Sequence, residues 1–92
     1  MIRSFRHKGL ADLFNTGRTA KVRPDLQARA LRRLDALNAA HELAELNVQG
    51  FDFHALKGCK PTRYSLHVNG PWCITFEWSE GDVLRVDLEQ YH

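Results

Sequence analysis

The stretch from Arg63 to Glu89, RYSLHVNGPWCITFEWSEGDVLRVDLE, decides the fold. Its period is two. Tyr64, Leu66 and Val68 alternate with Arg63, Ser65 and His67, and Trp72, Ile74, Phe76 and Trp78 with Cys73, Thr75 and Glu77. Leu84, Val86 and Leu88 then alternate with Arg85, Asp87 and Glu89. Each run is a half-buried strand, because successive side chains on a strand point to opposite faces. The turn signals NGP and SEGD separate the runs, so the three strands form an antiparallel meander. One face is aromatic and aliphatic and needs a cover; the other is polar. The same alternation carries Tyr91 to the polar face if the last strand runs to the end.

The cover comes from upstream. KGLADLFNTG predicts a short helix with Leu10, Leu13 and Phe14 on one side and Gly17 as its stop. Pro24 opens a longer helix, where its missing N–H is harmless. Ala30, Leu34 and Leu37 form its apolar stripe, widened by Leu26 and Leu31, with Arg29, Arg32, Arg33 and Asp35 around the rest. The pattern shifts phase in NAAHELAEL, which predicts a break or second short turn, and MIRSF alternates like a brief first strand. Helices first and strands later make an α+β fold of two layers, N-terminal helices on an antiparallel sheet, with residues 1–92 as one domain.

Composition narrows the function. No apolar run reaches membrane-spanning length and the N-terminus lacks a signal-peptide core, so the expected compartment is the cytoplasm, with no membrane partner. Cys59 and Cys73 are too far apart for a metal knuckle and too few for a disulfide scaffold; they read as free thiols. The net charge of +2 is split unevenly. Residues 1–33 hold nine Lys/Arg against Asp12 and Asp25, and the remainder hold four against nine Asp/Glu. A basic half points to a polyanionic partner, nucleic acid or an acidic protein segment.

HELAE at 41–45 lacks the second histidine of a zinc-protease helix, and no other spacing suggests a metal or cofactor site. The histidines remain as acid–base groups. RNA supplies its own nucleophile in the 2′-hydroxyl. Cleaving it requires a base for that proton, a donor for the leaving 5′-oxygen, and charge at the phosphate. FDFHALKG offers His54 and Lys57, and QYH offers Tyr91 and His92, whereas His7, His41 and His67 read as histidines without chemistry.

MIRSFRHKGLADLF, LDALNAAHELAEL, FHALKG, SLHVNGPWCITFEW and the closing YH, in that order along nearly the whole chain, resemble the HigB-type toxins of bacterial toxin–antitoxin pairs, within the RelE/ParE superfamily. The resemblance implies a RelE-like (microbial RNase) fold and an endonuclease that cuts mRNA in the ribosomal A site. It also implies a cognate helix-turn-helix antitoxin, through which alone operator DNA would be contacted. Position by position, it makes His54, Tyr91 and His92 catalytic and Lys57 a phosphate ligand. Arg3, Arg6, Lys8, Lys21 and Arg23 are then the cations expected to hold ribosomal RNA. Two positions depart from the pattern. Gln90 stands where an acidic residue precedes Tyr-His, and Cys73 where the strand after the turn carries an arginine. Gln90 then becomes a hydrogen-bonding substrate contact, and Arg63 and Arg85 the candidate replacements for the arginine. The alternatives are a slower or inactive toxin-like binding module, or a superfamily member directed at a protein such as gyrase.

Overall fold

Two tight turns and two register shifts, one between His67 and Asn69 and one opposite Thr75–Glu77, set the geometry of the sheet. The computed structural model describes residues 1–90. Helix α1 spans Lys8–Thr16 and α2 Pro24–Ala39, followed by a single 3-10 turn at Leu43–Leu46. Strands β1 (His54–Leu56), β2 (Arg63–Asn69), β3 (Trp72–Ser79) and β4 (Asp82–Gln90) pair antiparallel in the order β1-β2-β3-β4. Two of the three hairpins have two-residue turns. Gly70 and Pro71 join β2 to β3, with Gly70 at a φ of 55°. Glu80 and Gly81 join β3 to β4, both at positive φ (50° and 84°), the mirror-image turn whose twist matches paired strands.

β4 does not alternate throughout. Thr75 pairs with Asp87 but Glu77 with Leu84, so Arg85 and Val86 together face Phe76. Arg85 takes a φ of 49° in this bulge. The extra residue flips the strand's faces. Val83 and Val86 both point into the core, and the expected inward Leu84 instead lies on the polar face opposite Glu77. The bulge also limits the first segment. Ile2 and Phe5 make isolated parallel bridges to Val83 and Val86 in place of a continuous strand. Strand β1 lies at His54–Leu56, where the sequence pattern predicts no strand; three residues are too few to show a period.

The helices cover one sheet face as the stripes require. Leu10 and Leu13 of α1 and Leu26, Ala30, Leu34 and Leu37 of α2 are buried against Leu66, Val68, Ile74, Phe76, Val83 and Val86. Each such Leu, Ile or Val contributes about 1.5–3 kcal/mol. Gly17 caps α1 in the left-handed conformation, its N–H bonding the Leu13 carbonyl at 2.8 Å. At the other end, His7 Nδ1 accepts the Leu10 N–H at 3.1 Å, so His7 is a helix cap.

Candidate active site

The uncovered face is a grid fixed by strand register. One row runs His54, Ser65, Thr75, Asp87. The row beside it runs His67, Cys73, Glu89, and the one on the other side Leu56, Arg63, Glu77, Leu84. A cavity of about 360 Å³ opens on this face, lined by Asp52, His54, Leu56, Ser65, His67, Gly70 and Cys73.

His54 is exposed on the edge strand, and its Nδ1 lies 2.8 Å from the Asp52 carbonyl. A carbonyl only accepts, so Nδ1 carries the proton and Nε2 is left as the ring's acceptor. His67, set aside in the sequence, lines the same cavity. Its Nε2–H donates to the Gly70 carbonyl at 3.0 Å, which leaves Nδ1 for a ligand. Only the pairing of β1 with β2 places both residues on one cavity; no sequence spacing announces it. Ser65 Oγ is buried between them without a hydrogen-bond partner among the described residues.

The loop and strand beneath these rings are tied down by Arg33, which the helical pattern assigned to the polar circumference. Arg33 is 7% exposed. Its Nε donates to the His67 carbonyl at 2.8 Å and its terminal nitrogens to the Arg29 and Gly50 carbonyls, while its guanidinium sits 4.6 Å over the Phe51 ring. Burial, then the nearby Arg32 and Arg29, hold this guanidinium below its ordinary value. The His67 N–H completes the clamp by donating to the Phe51 carbonyl at 2.6 Å.

The arginines expected to replace the missing cation are engaged elsewhere. Arg63 is buried, bonding Glu77 at 3.0 Å, Thr75 at 3.0 Å and the Arg85 carbonyl at 2.9 Å. Arg85 reaches the other Glu77 oxygen at 2.7 Å from a half-exposed position. Both therefore act first in a polar cluster that holds β2, β3 and the bulge together. Thr75 Oγ1 extends that cluster to the Glu89 carboxylate. Gln90 pairs with Trp72, so the pleat turns it to the helix-covered side, and Glu89 is the acid on the polar face. Lys57 is exposed in the turn after β1. Arg3 and Arg6 lie along β4, three strands from His54, with Lys8 opening α1. Lys21 and Arg23 occupy the link between the helices. Arg3, Lys21 and Arg23 pair with Asp82, Asp12 and Asp25. Tyr91 and His92 lie outside the described residues. Among those residues no cluster of three or more His, Cys, Asp or Glu could hold a metal ion, and no helix is long and apolar enough to cross a membrane.

Helices on one side of a four-stranded antiparallel sheet, with anchored imidazoles over a cavity on the other, define an α+β domain of RelE-like form. The family model for the RelE-like toxin of the type II toxin–antitoxin system HigB matches residues 3–92. The chain is also similar to the Endoribonuclease HigB of Proteus vulgaris, at 41% identity over 92 residues and the full length of both chains. It belongs to the HigB family of RelE-like toxins, whose members act within type II systems and so have an antitoxin as partner.

Proposed function

We propose that this toxin is a ribosome-dependent endoribonuclease that cleaves mRNA in the A site by acid–base catalysis without a metal ion. The observation that carries the reading is His54. It is an exposed imidazole at the mouth of a cavity, with its proton held at Nδ1 by the Asp52 carbonyl and its Nε2 lone pair available. The similarity to a protein named as an endoribonuclease supports the same chemistry.

In this mechanism His54 Nε2 takes the proton of the 2′-hydroxyl, and the 2′-oxygen forms a bond to phosphorus. The bond from phosphorus to the 5′-oxygen breaks, and His92 gives that oxygen its proton. Tyr91 polarises the scissile region, and Lys57 offsets phosphate charge. The basic N-terminal half, with Arg3, Arg6, Lys8, Lys21 and Arg23, holds ribosomal RNA through its phosphates. The same surface recruits an acidic segment of a helix-turn-helix antitoxin in the cytoplasm, and operator DNA is met only through that antitoxin.

The test is cell-free translation of a reporter mRNA with the ends mapped by primer extension. Discrete cuts that require translating ribosomes and disappear in His54→Ala are expected. Intact mRNA with the wild-type chain favours a second reading, a toxin-like binding module that no longer cuts. That reading has its own support, since Arg63 is committed to Glu77 and Cys73 supplies no charge.

A further inference from the structure

Granted the nuclease reading of the cavity, we propose that His67 is a further catalytic residue, a protonated imidazole that grips the scissile phosphate of single-stranded RNA beside His54. A phosphodiester entering this cavity is an anion and needs a cation. Among the described residues that line it, none is Lys or Arg. Arg63 and Arg85 stand one row away and are engaged by the Glu77 carboxylate, and Lys57, which offsets phosphate charge in the proposed mechanism, is exposed in the turn after β1 and is not among the lining residues. The cavity-lining groups able to carry positive charge are therefore His54 and His67.

The geometry suits a division of labour. His54 pairs with Ser65, so His67 is its diagonal neighbour on the same face, with about 7–8 Å between backbones. That span lets one ring meet the 2′-hydroxyl while the other meets a non-bridging phosphate oxygen. The Gly70 carbonyl holds the His67 Nε2 proton in both charge states. A second proton goes to Nδ1, which then becomes the donor toward the phosphate. His54 remains the base, and no proton is consumed at His67, which stabilises the charge that builds on the phosphorane oxygens.

His67 is also held more firmly than an incidental histidine would need. Its N–H bonds the Phe51 carbonyl, its own carbonyl takes Arg33 Nε, and its ring is fixed on Gly70. A donor aimed in advance at the site of developing charge is worth most when it need not reorganise. The titratable or polar groups that share its surroundings are His54, Asp52, Ser65, Cys73 and Glu89, with Arg33 behind its backbone.

The experiment is a charge series at one neutral pH, using single-turnover cleavage on ribosomes carrying a defined A-site codon. His67→Gln can keep a donor for the Gly70 carbonyl but carries no charge. It is expected to lower kcat/KM by about 10²–10³. His67→Arg restores a permanent cation and is expected to recover most of that loss. Circular dichroism melts confirm that both variants fold. His67→Gln cleaving within twofold of wild type overturns the proposal, as does His67→Arg remaining as slow as His67→Gln. A second readout covers a wild-type chain that leaves mRNA intact, which refutes the nuclease reading. There, an RNA trinucleotide with a 2′-deoxy centre is titrated into the protein while the His67 ring protons are followed by NMR. A saturable shift of those protons, together with weaker binding of the same trinucleotide to His67→Gln by titration calorimetry, upholds the phosphate contact; no shift, or binding unchanged in His67→Gln, overturns it.

Discussion

Glu77→Ala removes the carboxylate that Arg63 and Arg85 share. The Arg63 and Glu77 side chains are only 9% and 6% exposed, and their 3.0 Å contact is shielded from water. Removing one partner leaves the other as a buried, uncompensated charge, at a cost of about 3–5 kcal/mol. The Arg85 contact adds less, about 0–1 kcal/mol, because that side chain is 53% exposed and solvent screens it. Against a total stability of about 5–15 kcal/mol, a loss near 4 kcal/mol is large. It corresponds to a drop in Tm of roughly 16–30 °C for a chain of this size. The control is the double variant Arg63→Met with Glu77→Leu. Replacing both charges by apolar groups of similar volume removes the orphan, so the pair is expected to be far more stable than the sum of its singles implies. Urea denaturation followed by circular dichroism measures wild type, Glu77→Ala, the singles Arg63→Met and Glu77→Leu, and the double variant. A loss below about 1 kcal/mol in Glu77→Ala, or single losses that simply add in the double variant, would show that Arg63 is not left as an uncompensated buried charge.

Two further predictions rest on local geometry. Gly9 lies inside α1, where alanine ordinarily stabilises a helix by about 1 kcal/mol. A Cβ there would sit 2.7 Å from His7 Cε1 and 2.8 Å from Lys21 Cβ. Gly9→Ala is therefore expected to destabilise by about 1–3 kcal/mol in a thermal melt, and a raised Tm would contradict that packing. The Glu45 carboxylate accepts the backbone N–H groups of Glu42 and His41, each at 2.7 Å, and these hold it below the usual carboxylate range. A depressed carboxylate adds stability above its unfolded pKa and loses it as pH falls through the folded one. The slope of stability against pH below about pH 5 is expected to be shallower in Glu45→Gln. Equal slopes would show that these bonds do not favour the ionised form.

Much of the scaffold follows from local pattern. The two tight turns, the meander, the α2 stripe behind Pro24 and the Gly17 stop are short-range effects, and the apolar sets of the helices and sheet have to find each other. The chain order of MIRSFRHKGLADLF, FHALKG and YH was enough to suggest the HigB family, and His54 stood out within it. Other features needed the folded chain. β1 exists because the edge of β2 offers it hydrogen bonds, not because HAL has a period. The faces of β4 depend on the bulge at Arg85, and VLRV reads equally well with Leu84 inward; the backbone, not hydrophobicity, selects Val83. Polar type alone gives no sign that Arg63 and Arg33 are buried, since Glu77 lies 14 residues from Arg63 and the His67 carbonyl 34 residues from Arg33. His54 and His67 line one cavity for the same reason. Composition and periodicity determine which segments become helix or strand and which faces are apolar. Register, fixed by backbone pairing between distant segments, determines which polar side chains share a cavity, and that is a property of the tertiary structure alone.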